Sequence, residues 1–142
     1  MHLDQCIDLD QKSLKGLWTK HLWKRELSDP QRICLGLIDI DKKNNLLGFC
    51  TSWLVLDEFQ ITSIAVDPLY QRKGLGKLIL SDLIKRSKFH RVNQINLEVK
   101  DTNQPAIAFY KSMGFKIEGQ RSNFYRDGSN ALVYVKKLSR KS

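Results

Sequence analysis

Ile64-Ala65-Val66-Asp67-Pro68-Leu69-Tyr70-Gln71-Arg72-Lys73-Gly74-Leu75-Gly76-Lys77 is the stretch on which the reading of this chain turns. It begins as an apolar strand end and breaks at Asp67-Pro68. After a basic loop it enters a helical pattern at two glycines spaced i, i+2. Residues without a Cβ let a ligand come close to the backbone. The unpaired N–H groups and positive dipole end of a helix start favour an anion there, and Arg72, Lys73 and Lys77 add charge of the right sign. Two other phosphate loops are excluded. A Walker A loop needs glycine where Gln71 stands and a hydroxyl residue where Leu78 stands. A dinucleotide fingerprint needs a third glycine where Ile79 stands.

Downstream, Gly74 to Lys88 has helical period, with Leu75, Leu78, Ile79, Leu83 and Ile84 on one face. Ile95-Asn96-Leu97-Glu98-Val99 alternates as a strand, which turns Asn96, Glu98 and Lys100 to the face opposite Ile95, Leu97 and Val99. Asn103 to Ser112 reads as a second helix capped by Asn103 or Thr102. Gly114 ends it, and strands follow over Phe115–Gln120 and Ala131–Lys137. Upstream, Arg32–Ile40, Leu46–Leu56 and Phe59–Val66 form an antiparallel meander. Ser13 to Leu27 reads as one helix stopped by Ser28-Asp29-Pro30. A strand–helix–strand unit after a meander implies a mixed sheet and an α/β (α+β) class. With no linker and no repeat, residues 1–142 are expected to form a single domain.

The balance of 24 Lys+Arg against 15 Asp+Glu gives a net charge of +9, a surface that attracts anionic ligands, nucleic acid or acidic partners. Cys6, Cys34 and Cys50 cannot all pair, and neither they nor the 3 histidines have metal-ligand spacing; no metal is expected. The acidic start at Asp4, Asp8 and Asp10 is unlike a secretory signal, and Leu46–Leu56 is too short to span a bilayer as a helix. A cytoplasmic protein is expected. The basic end Lys136–Ser142 reads as a solvated tail, with RNA or an acidic surface as an incidental contact.

The frame Gln71-Arg72-Lys73-Gly74-Leu75-Gly76 resembles the [QR]-x-x-G-x-[GA] loop of the Gcn5-related N-acetyltransferase (GNAT) superfamily. The run Asn103-x-x-Ala106-Ile107-Ala108-Phe109-Tyr110-x-x-x-Gly114-Phe115 resembles the second half of that family's signature. With Ile64–Pro68 and Leu97-Glu98-Val99, the resemblance is to the RimI type, the ribosomal-protein-alanine N-acetyltransferases. It implies a mixed sheet of about six to seven strands flanked by helices, and acetyl-CoA as co-substrate. Backbone donors of Arg72, Lys73, Gly74, Leu75, Gly76 and Lys77 would then hold the pyrophosphate. Ile64, Ala65 and Val66 would pair with the pantetheine amides, and Asn103 would bond the cofactor.

Acetyl transfer to an amine needs a base, an oxyanion donor and a proton for the departing thiolate, but no enzyme nucleophile. Alternation alone makes Glu98 one residue of a polar strand face. The resemblance makes it the base, Tyr110 the acid and the Val66 N–H the oxyanion donor. Tyr110 falls seven residues after Asn103, on nearly the same face of a helix two turns long; otherwise it packs in the stripe Ile107-Tyr110-Met113. Trp18, Phe124 and Tyr125 are candidates to line the acceptor groove. Where the RimI type carries Asp-Ala before its last strand, this chain has Asn130-Ala131, and its early Pro-Trp-Ser is reduced to Leu17-Trp18-Thr19. The expected acceptor is the N-terminal α-amino group of a protein, a ribosomal one with N-terminal alanine. The alternatives are a lysine or small polyamine acceptor, or a non-catalytic basic module that binds RNA or the ribosome.

Overall fold

The computed structural model describes residues 2–138 of the 142. In chain order the elements are α1 (Leu3–Leu14), α2 (Lys20–Ser28), β1 (Arg32–Asp39), β2 (Asn45–Val55), β3 (Glu58–Val66), α3 (Leu75–Ser87), β4 (Gln94–Lys100), α4 (Gln104–Ser112), β5 (Lys116–Arg121) and β6 (Ala131–Lys137). The six strands form one mixed sheet in the order β1-β2-β3-β4-β6-β5. Only the β3–β4 pairing is parallel, as expected for strands joined through a helix. Among the described residues, no helix is long and apolar enough to cross a membrane.

Two hydrophobic clusters cover the faces of the sheet. On one, Leu80 and Leu83 of α3 and Ile107 and Tyr110 of α4 pack on Phe59, Ile95, Leu97 and Val99. On the other, Cys6 and Leu9 of α1 and Trp23 of α2 pack on Leu46, Phe49 and Ala65. The alternation read along β4 is observed: Ile95, Leu97 and Val99 are buried and Glu98 is exposed. At Gly48 a Cβ would lie 2.8 Å from both the Ala65 carbonyl and Ile79 Cδ1, so glycine there lets α3 settle close to β2.

The single helix expected over Ser13–Leu27 is corrected. The chain leaves α1 at Lys15 and Gly16, both with positive φ, and re-enters a helix at Thr19, whose hydroxyl accepts from the Leu22 N–H. Buried Asp10 holds the break closed. Its carboxylate accepts from the N–H groups of Leu17 (2.7 Å) and Trp18 (3.1 Å) and from Trp23 Nε1 (2.8 Å), providing partners for donors that a broken helix would leave open. The basic end is corrected in part as well. Lys136 and Lys137 belong to β6, with Lys136 Nζ donating to the Met113 carbonyl at 3.0 Å. Residues 139–142 lie outside the described residues.

One irregularity positions the site. Ser63 pairs with Thr51 but Ile61 pairs with Ser52, so Thr62 is an extra residue in β3. Its hydroxyl lies 2.7 Å from Thr51 Oγ1 and 3.2 Å from the Thr51 carbonyl, which ties the bulge to β2. A bulge bends its strand and sharpens the twist. Accordingly β3 pairs with β4 only over Glu58–Gln94, Phe59–Ile95 and Gln60–Asn96, and the two strands part beyond the bulge.

Candidate active site

The split between β3 and β4 leaves the far half of β3 with one edge unpaired. Asp67 N–H donates to the Leu47 carbonyl at 2.8 Å, and Val66 stands opposite Gly48. Antiparallel alternation therefore turns the main-chain groups of Ala65 and Asp67 toward β2, and those of Ile64 and Val66 toward the split. The Val66 carbonyl is already engaged, accepting from Ser13 Oγ (3.0 Å) and Gln71 Nε2 (3.1 Å). Its N–H is left facing the split. Ala65 thus contributes its position on the groove wall, with its polar main-chain edge spent on β2.

Beyond Val66 the Asp67 side chain accepts from the Leu69 N–H at 3.0 Å, which closes a short 3-10 turn over Pro68–Tyr70. Arg72 and Gly74 both have positive φ, +64° and +78°. Arginine tolerates that region poorly, and holding it there costs on the order of 1–2 kcal/mol. Such a sharp loop aims successive N–H groups inward, in the manner of an anion-binding concavity. Gly74 caps α3 without a side chain, and its carbonyl takes the first intrahelical bond, from Leu78 N–H at 3.1 Å. The N–H groups of Leu75, Gly76 and Lys77 therefore have no acceptor within the helix. A Cβ on Gly74 would meet nothing within 4 Å, so the space over this turn is open.

Helix start and split share one groove of about 680 Å³, within the range of roughly 300–1,000 Å³ usual for small-molecule sites. Ile64, Ala65, Val66, Arg72, Gly74, Leu75, Gly76 and Lys77 line it, joined by Tyr110 from α4. Lys73 does not line the groove; its Nζ lies 5.5 Å from the Tyr70 ring centroid. Asn103 does not line it either. Its Oδ1 caps α4 by accepting the Ala106 N–H at 3.2 Å, beside Pro105 and Ala106, which do. Ser13 and Leu14 of α1, Tyr70, Gln71 and Phe109 are groove residues that were not foreseen in these roles. Gln71 and Phe109 stand within the quoted motifs, whereas Ser13 arrives from a helix far away in sequence.

Tyr110 is 5% exposed, and its ring packs edge-on against Phe109 and Phe115. Burial first, then the neighbouring Cys50, pushes its hydroxyl well above the usual tyrosine range, so it keeps its proton at any working pH. Glu98 is not in the groove lining. It stands on the opposite face of β4 from the cluster that holds Tyr110, 32% exposed, with Arg121 Nε 3.2 Å from its Oε1. Trp18 packs at 4.8 Å on Trp23 within the α1–α2 cluster. Phe124 and Tyr125 meet edge-to-face at 5.1 Å, and the charge of Glu98, after burial, helps raise the Tyr125 hydroxyl.

Cys50 is fully buried in β2, and burial pushes its thiol up to about 12. Cys34, raised by burial and then by Glu26, also reaches about 12, and Cys6 about 11 by burial. A nucleophilic thiolate is accordingly scarce at neutral pH. Iodoacetamide at pH 7.5 is expected to modify the native protein far more slowly than the urea-unfolded chain, without loss of activity; mass spectrometry and a turnover assay check this.

Residues 3–115 match the family model described as the acetyltransferase (GNAT) family. The chain belongs to the GNAT acetyltransferase family. It is similar to the N-alpha-acetyltransferase RimI of Mycobacterium tuberculosis, 31% identical over 136 residues that cover 91% of this chain and 82% of that protein. It is 40% identical over 86 residues to the ribosomal protein bS18-alanine N-acetyltransferase of Escherichia coli, a match covering 61% of this chain and 58% of the relative. The crystal structure of the Escherichia coli ribosomal-protein-S18-alanine N-acetyltransferase superposes with a TM-score of 0.88 at 29% identity, covering 99% of this chain and 90% of that one. As a GNAT enzyme the protein is an acetyl-CoA-dependent N-acetyltransferase. The open helix start, the free edge of Ile64 and Val66 and the groove joining them fit a long ligand with a diphosphate at one end and amides along its arm.

Proposed function

We propose that this GNAT enzyme acetylates the N-terminal α-amino group of a protein in the cytoplasm, with the N-terminal alanine of a ribosomal protein as acceptor. The carrying observation is the groove that joins the start of α3 to the unpaired edge of β3 beyond the Thr62 bulge, with Tyr110 in its wall. Whole-chain similarity to RimI-type enzymes supports the acceptor class.

Acetyl-CoA supplies the acetyl group as a thioester. Backbone N–H groups of Leu75, Gly76 and Lys77 bind its diphosphate, with Arg72 and Lys73 adding positive charge at the rim and Lys77 in the first turn. The free edge of Ile64 and Val66 orients the pantetheine arm as an added strand, and the Asn103 amide nitrogen remains available as a donor to it. Glu98 takes the proton from the acceptor ammonium, directly or through water. An α-amine titrates near about 7.7–8.0, so the base has modest work to do. The Val66 N–H faces the developing oxyanion. The Tyr110 hydroxyl returns a proton to the departing sulfur. Burial raises the Tyr110 hydroxyl and disfavours a departing thiolate beside it as well, so the two effects offset one another in the proton transfer.

The test is a peptide panel. Alanine-initiated peptides of ribosomal-protein N-termini are expected to be acetylated, and the same peptides with blocked N-termini and an internal lysine are not. Transfer to the blocked set at equal rate would move the acceptor to a lysine side chain.

A further inference from the structure

Glu98 faces the acceptor side in a setting that its own strand does not fully supply. In the sheet, Glu98 of β4 stands opposite Val133 of β6, which stands opposite Gly119 of β5. In the next row Lys100, Ala131 and Arg121 stand in line. Cross-strand partners share a face, so Lys100 and Arg121 project on the same side as Glu98, one row away. The two cations are used differently. Lys100 Nζ is 2.6 Å from Asp127 Oδ2 and lies over the Tyr125 ring at 5.6 Å, which commits it to the β5–β6 connection. Arg121 reaches diagonally across β6 to Glu98, its Nε 3.2 Å from Oε1, with the Phe124 ring 5.7 Å from the guanidinium carbon. It is the ion-pair partner of Glu98 among the described residues.

An ion pair this exposed, 61% for Arg121 and 32% for Glu98, contributes little to stability. What it does do is restrict a carboxylate on a side chain with three freely turning bonds. The pair approaches from the β5 side, while the split opens on the β3 side. We propose that Arg121 is a positioning residue of the acetyl transfer, holding the Glu98 carboxylate in one orientation from the β5 side. The inference rests on the reading of Glu98 as the base. In this role Arg121 acts through Glu98, as an orienting third group acts on a base.

Steady-state kinetics on an alanine-initiated peptide, with the purified chain and its Arg121→Gln, Arg121→Lys, Glu98→Gln and Glu98→Gln/Arg121→Gln variants, tests this. Arg121→Gln is expected to lower kcat roughly 10- to 100-fold, the scale of a misaimed catalytic group, with the peptide KM unchanged within about twofold. Arg121→Lys recovers most of the loss, since an ammonium can still hold the carboxylate. The double variant is no slower than Glu98→Gln alone, because Arg121 has nothing left to aim. Unchanged kcat in Arg121→Gln, or a lower KM at full kcat, would overturn the proposal; the second outcome would make Arg121 a competitor of the incoming ammonium. A further loss in the double variant would also overturn it, by assigning Arg121 a role independent of Glu98. Full turnover by Glu98→Gln would instead remove the base itself, and the positioning role with it.

Discussion

Tyr110→Phe is expected to lower kcat by about 10²–10⁴-fold, the usual contribution of a positioned acid or base, while acetyl-CoA binds as before. The exchange removes one oxygen from a ring that otherwise only packs against Phe109 and Phe115. Tyr110 lines the groove, and its hydroxyl makes no hydrogen bond to the described residues, so its loss leaves no stranded partner. Stability should be nearly unchanged and turnover should collapse. The groups that hold the diphosphate lie in the loop and at the start of α3, away from this hydroxyl. Isothermal titration of acetyl-CoA beside single-turnover kinetics separates the two effects. A variant that binds and turns over at full rate would leave Tyr110 with packing alone.

The second large effect belongs to Gly76. A Cβ there would sit 3.5 Å from Phe109 Cζ and 3.9 Å from Val66 Cγ2, pointing along the groove wall at ordinary contact distance. The first side-chain carbon of Gly76→Glu is therefore accommodated, and a carboxylate in the first turn of α3 favours the helix. The same carboxylate lies where a diphosphate is to be held. Like charges brought together at a binding site cost several kcal/mol, so affinity for acetyl-CoA should fall by about 10²-fold or more. Thermal unfolding of the free protein should not move downward. Gly76→Ala adds contact without charge and should lose much less. Equal losses in the two variants would point to steric closure and away from an anion site.

The parts of this architecture that local chemistry dictates were legible in the residues. The glycine pair after Val66-Asp67-Pro68 marks a helix start with open donors, and strict alternation over Ile95–Val99 puts Glu98 on the polar face, as observed. Other features depend on contacts between distant segments. The break between α1 and α2 has local signals, Gly16 in left-handed conformation and Thr19 as a cap, but apolar spacing across Leu14, Leu17 and Trp18 overrode them. The break is held by Asp10, whose role depends on Trp23 folding back over it. The Thr62 bulge leaves a trace in Ile61 and Ile64, both of which pack on the α3–α4 cluster although three residues apart. Period-two reading does not expect that, and the consequence, strands that part, shows only once β4 is placed alongside. In the sequence Gln71 is one residue of a loop motif. Its amide in fact ties the loop to the Val66 carbonyl, leaving the Val66 N–H as the free group at the strand end.

Amide hydrogen exchange of the full chain, followed residue by residue with and without saturating CoA, addresses the diphosphate grip and the free strand edge together. The N–H groups of Leu75, Gly76 and Lys77 and those of Ile64 and Val66 should slow markedly on binding, while Ala65, already bonded to β2, changes little. Exchange at these five positions that is indifferent to saturating CoA would contradict the account.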